Sequence, residues 1–313
     1  MLTTAARNPD HWNKAAYGFD KITYLPIPDS TVRLANLRSG DLDIIERVEP
    51  TDVKTAKADA NLTTASAVGL GYQSLNINVA SGDRAKTPLG QDKRVRQALE
   101  LSIDRDAINQ VVFEGQFTPG NQFFPPANPY FAKDIPIPPR DVAKAKALLA
   151  QAGVKTPFAM EVTMANNPRS LALMQVIQSM AAEAGFDIKL KSTEFATMLN
   201  EGTKGDFQAN QYGWSGRPDP DGNIHAFVTC KGGLNDWKYC NPEVDKLLDE
   251  ARTIADPAQR KQRYTAAQKI LHEDLPIIHL YHESWIWGVK KKINGFQPHP
   301  DGMIRLENMK LAS

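Results

Sequence analysis

Between Arg140 and Trp214 the chain alternates between helical and strand-like spacing of its apolar residues, and this limits the fold more than any single motif does. Val142–Ala152 has helical spacing and stops at Gly153, Phe158–Met164 is strand-like, and Pro168–Ala184 is helical again with Leu171, Met174, Ile177 and Ala181 expected inward. Strand Asp187–Ser192, a short helix Phe195–Asn200 and strand Phe207–Trp214 continue the series. Strands that alternate with helices point to βαβ units and a largely parallel sheet. Both flanks are richer in strands: Lys21–Ile27, Leu42–Ile45, Leu62–Ala65 and Leu70–Asn78 come before, and Ile277–Glu283 and Trp285–Val289 come after. An α/β body between two β-rich pieces is the pattern of one lobe inserted into another.

Other helices fit the same body. Val95, Ala98, Leu99, Ser102 and Ile103 form one stripe. Asp104 caps a second helix with Ala107, Ile108, Val111 and Val112 expected inward and Gly115 as its stop. Val244, Leu247, Leu248, Ala251 and Ile254 line a further face, and Asp256-Pro257 starts a helix that runs to about His272. Gly115–Pro139 is a long stretch rich in proline and glycine, the kind of segment that is functional or wraps a surface.

A length of 313 residues with 42% apolar residues suits a soluble globular chain. No apolar run approaches the ~18–20 residues of a membrane span. A net charge of +1 without a basic block argues against nucleic acid as a partner. The only cysteines, Cys230 and Cys240, flank nine residues that include Gly232-Gly233. That spacing suits a disulfide and with it an oxidising compartment. Two separate thiols or a zinc half-site are the alternatives, although zinc wants further ligands at tighter spacing. His279 and His282 would point to opposite faces of a strand, so a capping or core role is expected and no metal site. Gly-x-Ser-x-Gly, His-Glu-x-x-His and Gly-x-x-x-x-Gly-Lys-[Ser/Thr] are all missing, so no enzyme chemistry and no cofactor is expected. Lys290-Lys291-Lys292 reads as a solvated turn. In Leu70–Asn78, Tyr72, Ser74, Asn76 and Asn78 occupy one face of a strand, which suits the lining of a cleft; a solvent-facing edge strand is the alternative.

A series of motifs in order carries a family resemblance: Asn8-Pro9-Asp10-His11-Trp12, Ile27-Pro28-Asp29 with Leu34, Leu37, Gly40 and Asp43, Asp92–Leu99 leading to Ile103–Ile108, Lys144–Leu149 with Gly153, Tyr212-Gly213-Trp214 before Asp219-Pro220-Asp221, and Asn241–Asp245. From about Asn8 to Leu311 the chain resembles the family 5 extracellular solute-binding proteins, the peptide- and nickel-binding receptors of bacterial ABC importers. The resemblance implies an α/β, periplasmic binding protein-like II fold with two lobes joined by crossing hinge strands. Lobe I is expected to be incomplete here, at 1–73 and 285–313, with lobe II at 74–284. It further implies a monomer that captures a small peptide or amino-acid-derived solute in the cleft between lobes and delivers it to an ABC permease at the membrane. A periplasmic location follows, with the export signal expected in a missing N-terminal part, since Met1-Leu2-Thr3-Thr4 has none of its features. A nickel-chelate receptor or a two-lobed hydrolase are the alternatives.

Three stretches are then expected at the ligand. They are Tyr72, Ser74 and Asn76, whose strand could pair with an extended peptide; Asn121 and Gln122 beside Phe123; and Tyr212, Trp214, Arg217, Asp219 and Asp221. Peptide-binding relatives place an aspartate shortly after the Gly-Trp pair, where it neutralises the ligand's α-amino group. Here Arg217 follows instead. Its planar fork suits a carboxylate; the alternative is an internal pair with Asp219 or Asp221.

Overall fold

The computed structural model describes residues 2–312 and divides into two compact units, one made of the chain up to Gly69 together with the stretch from Ser284 onward, the other of Leu70–Glu283. The first unit opens with a hairpin of β1 (Thr3–Ala6) and β2 (Lys21–Tyr24), then α1 (Ser30–Ser39), β3 (Ile44–Ile45), α2 (Val53–Ala58) and β4 (Leu62–Val68). Asp29 caps α1 by accepting the Val32 N–H at 2.9 Å, and Gly40 ends it at φ +99°, where a side chain would be strained.

The second unit carries β5 (Tyr72–Ile77), α3 (Pro88–Gln91), α4 (Lys93–Leu101), α5 (Arg105–Phe113), β6 (Thr118–Pro119), α6 (Val142–Gln151), β7 (Phe158–Ala165), α7 (Pro168–Ala184), β8 (Phe186–Thr193), α8 (Phe195–Thr203), β9 (Ala209–Trp214), α9 (Asp221–Val228), α10 (Pro242–Thr253), α11 (Pro257–Asp274) and β10 (Ile277–His282). Its sheet has six strands in the order β6-β10-β5-β9-β7-β8. The sheet is mixed, which corrects the largely parallel one expected. Helical crossovers make β7 parallel to β8 and β9, but β5 and β10 bring the chain into this unit and out of it, so they run antiparallel to each other, and β5 is antiparallel to β9. The core of this unit gathers Phe124, Phe207, Ile224, Trp237, Val244, Leu248, Tyr264 and Leu271.

The first unit resumes with β11 (Ser284–Lys290), β12 (Ile293–Asn294) and β13 (Lys310–Leu311). β11 is the middle strand of β3-β11-β4 and contributes Trp287 and Val289 to a core with Ile293 and Met309.

Two helical faces differ from expectation. Leu171 is 42% exposed and Val111 is 71% exposed, because α7 turns Leu173, Met174, Ile177 and Ala181 inward and α5 turns Ile108 and Phe113 inward. α9 was not foreseen, since Asp219-Pro220-Asp221-Gly222 reads locally as a turn. Cys230 and Cys240 form a disulfide.

Candidate functional site

Register brings the strand residues to one face of the sheet. Tyr72, Ser74 and Asn76 of β5 lie opposite Trp214, Tyr212 and Asn210 of β9, and His279 of β10 lies opposite Ser74. Their polar groups serve the protein itself. The Ser74 hydroxyl is 2.9 Å from Asn76 Oδ1 and 3.0 Å from the Tyr212 carbonyl, while Asn76 Nδ2 donates to Asn210 Oδ1 at 3.1 Å. Ser74, Asn76 and Tyr72 are all buried. The Tyr72 ring packs edge-on against Phe123, Phe227 and His279, and burial pushes its hydroxyl pKa well up. β5 sits between β10 and β9, so it has no free edge to offer a peptide. The polar groups of Tyr72, Ser74 and Asn76 thus belong to a network shared between β5 and its neighbour β9.

The amides of Asn121 and Gln122 are likewise engaged within the protein. Asn121 Nδ2 donates to the Pro136 carbonyl at 2.8 Å. Gln122 Nε2 donates to the carbonyls of Ala132 (2.8 Å) and Ile135 (3.1 Å), and its Oε1 accepts the Ala132 N–H (3.0 Å). Both side chains are buried and hold the long 115–139 segment to itself, satisfying backbone groups that lack a ladder.

The end of β9 is different. Trp214 packs edge-on against Phe227 at 5.1 Å, and the Arg217 guanidinium lies over its indole at 4.2 Å. Tyr212 is half-buried beside Phe195, and burial together with the nearby Asp236 carboxylate raises its hydroxyl pKa. Arg217 does not pair with either neighbouring acid, which overturns that alternative. Asp219 accepts from Arg260 Nη1 and Nη2 at 3.0 and 2.9 Å, and Asp221 accepts from Arg252 Nε and Nη2 at 2.8 and 2.9 Å. The hydrogen bonds from Arg260 hold the Asp219 carboxyl below its ordinary pKa. Asp219 and Asp221 each already have a counter-charge within the protein.

The Arg217 backbone is gripped by a residue the sequence did not flag. Asn223, fully buried on α9, accepts the Arg217 N–H at 2.7 Å and donates to its carbonyl at 2.8 Å. Arg217 Nη1 donates to the Gly216 carbonyl at 2.7 Å. Gly216 adopts φ +90°, and a Cβ on Gly71 would lie 1.7 Å from the Trp214 carbonyl oxygen, so both positions require glycine. Signals for Asn223, Arg252 and Arg260 exist only in three dimensions, where α9, α10 and α11 meet.

Two histidines close the same sheet. His282, fully buried, has Nδ1 2.7 Å from the Gly71 carbonyl, and burial lowers its pKa to about 4. His279 is lowered well below its ordinary value, first by burial and then by His282 and Arg105. Among the described residues no three His, Cys, Asp or Glu side chains converge to hold a metal ion.

The model of the bacterial extracellular solute-binding proteins, family 5 (middle region), matches residues 3–235. The chain belongs to this family. Among the family's curated proteins, di/tripeptide-binding protein 1 of Pseudomonas aeruginosa (strain UCBPP-PA14) is 29% identical over 306 residues, which are 95% of this chain and 56% of that protein. Heme-binding protein A of Haemophilus influenzae is 28% identical over 301 residues, 94% of this chain and 54% of that protein. The chain thus spans little more than half the length of these family members. The oligopeptide-binding protein AppA of Bacillus subtilis, solved with a nonapeptide, superposes with a TM-score of 0.79 at 28% identity over 94% of this chain and 61% of AppA. The likeness gives the chain the family's two-lobed α/β, periplasmic binding protein-like II fold.

Proposed function

We propose that this family 5 chain is part of the substrate-binding component of an ABC importer. Its solute is peptide-like or amino-acid-derived, and its work is capture and delivery to a membrane permease without chemical change. The unit Leu70–Glu283 is the inserted lobe in this reading, and the chain up to Gly69 with the stretch from Ser284 belongs to the other. The observation that carries the proposal is the family match joined to the exposed Arg217 stacked on half-buried Trp214, with half-buried Tyr212 beside it, at the end of β9. Ligand crevices of α/β sheets lie at the carboxyl ends of their parallel strands, and Trp214 ends β9 on that side of β7 and β8. A relative that is a di/tripeptide-binding protein, and AppA in complex with a nonapeptide, favour a peptide-like solute. A Cys230–Cys240 disulfide supports an oxidising, periplasmic setting.

A thermal-shift and calorimetric screen of di- and tripeptides, glutathione and opines tests the reading. At least one compound is expected to raise the unfolding midpoint in a concentration-dependent way and to be recovered unaltered. A flat response across the whole screen, or turnover of a bound compound, would sink it.

A further inference from the structure

Two arginine–aspartate pairs tie α10 and α11 to the segment that follows β9, and Arg217 belongs to that same segment. Arg252 presents its Nε and Nη2 edge to Asp221, and Arg260 presents both Nη atoms to Asp219. Arg217 is paired with neither acid. Arg217 spends Nη1 on the Gly216 carbonyl and, at 3.4 Å, on the Ser215 hydroxyl; its Nε and Nη2 have no partner among the described residues. Nε and Nη2 form the side-on fork, the edge with which Arg252 holds the Asp221 carboxylate a short distance away. The free fork is also held in place. The guanidinium is stacked on Trp214, its backbone is clamped on both sides by buried Asn223, and Trp214 is braced by Phe227. Stacking restricts a side chain that would otherwise lose considerable rotamer freedom on binding, so less is lost when a ligand arrives. The stacked, exposed Arg217 is not needed to neutralise Asp219 or Asp221, which Arg260 and Arg252 already hold.

We infer that Arg217 is a specificity-determining residue that takes a carboxylate of the solute side-on through Nε and Nη2, with Trp214 as its platform. The inference rests on the solute-binding function proposed above and names the class of solute: one that carries a free carboxylate. An ammonium group is excluded from this position because a guanidinium has no acceptor to offer it.

Calorimetry on the 313-residue chain with trialanine and with trialanine amide is the first arm of the test. The acid is expected to bind roughly 10- to 100-fold more tightly than the amide, the range for hydrogen bonds to a charged group. Arg217→Gln should bring the two affinities together. Arg217→Lys, which keeps the charge but loses the fork, should retain only part of the preference. The second arm does not depend on the peptide. The Arg217 side-chain Nε–H resonance, assigned by its loss in Arg217→Lys, is followed during titration with N-acetylglycine and with N-acetylglycinamide. Only the acid is expected to shift it. If trialanine binds but Arg217→Gln leaves the acid-to-amide ratio unchanged, the assignment of Arg217 is overturned while the solute-binding reading stands. If neither peptide binds but N-acetylglycine still shifts Nε–H, the peptide class is lost and the carboxylate fork is kept. If both arms are silent, the inference is refuted.

Discussion

His282 offers a quantitative check on how the second unit is held. The regular pairing of β5 with β10 ends at Gln73 opposite Tyr281, and the Gly71 carbonyl beyond it is met by the His282 imidazole at 2.7 Å. The ring is fully buried and its Nε2 has no partner among the described residues, so the neutral, Nδ1-protonated tautomer is the form the fold accepts. Burial moves its pKa from 6.5 in the unfolded chain to about 4. Between those values the unfolded chain binds a proton that the folded one refuses, so stability rises with pH across that window. The contribution is complete above 6.5, falls as pH drops, and is lost once pH passes below 4. At about 1.4 kcal/mol per pH unit the loss is about 3 kcal/mol. His282→Asn isolates the effect, because the Asn Nδ2 can still donate to the Gly71 carbonyl but does not titrate. The smaller side chain leaves a void and lowers stability at pH 7.5 by about 1–3 kcal/mol. Denaturant unfolding followed by far-UV circular dichroism, in half-unit steps from pH 7.5 to 4, gives the wild-type advantage over His282→Asn at each pH. That advantage should shrink by about 3 kcal/mol on acidification. The subtraction removes acid effects common to both proteins, including those of the carboxylates. A difference that stays level across the window, or that grows toward pH 4, would refute a neutral buried His282.

Other outcomes follow from single contacts. Breaking the Cys230–Cys240 bridge by Cys240→Ser should cost about 2–3 kcal/mol for so short a loop, and dithiothreitol should lower the thermal midpoint of wild type but not of the variant. Gly71→Ala sets a Cβ 1.7 Å from the Trp214 carbonyl oxygen and should destabilise by more than about 3 kcal/mol, whereas Gly233→Ala meets nothing within 4 Å and should change the unfolding free energy by less than about 0.5 kcal/mol, both read by denaturant unfolding. Arg105 is 3% exposed and pairs with Glu100 at 3.0 Å, so Glu100→Ala strands a buried cation and should cost about 3–5 kcal/mol, read as a fall in the denaturation midpoint.

The parts of the fold that could be read in advance are those whose signals are local. α7 and α11 each begin with a capping Asn or Asp before a proline, and α6 and α10 follow their apolar spacing; all run close to where the pattern places them. The spacing of Cys230 and Cys240 is local in the same sense, and its bridge is present. What the sequence leaves unread depends on partners far away in the chain. Alternation in β5 shows that it is a strand with two kinds of face, but nothing near residue 72 shows that its neighbours come from residues 209–214 and 277–282. Once those neighbours arrive, the polar face becomes an internal network instead of an exposed lining, and the amides of Asn76 and Asn210 satisfy each other. The same reasoning governs the charges after Trp214. In sequence, Arg217 is nearest to Asp219 and Asp221, and an internal pair is the economical guess. In space, α10 and α11 carry Arg252 and Arg260 to those acids with better geometry, two hydrogen bonds each. Pairing those acids elsewhere is what leaves Arg217 unspent. Arg217 is therefore the residue whose side-on donors the fold has not used, and the local motif alone could not distinguish that from a neutralised surface turn.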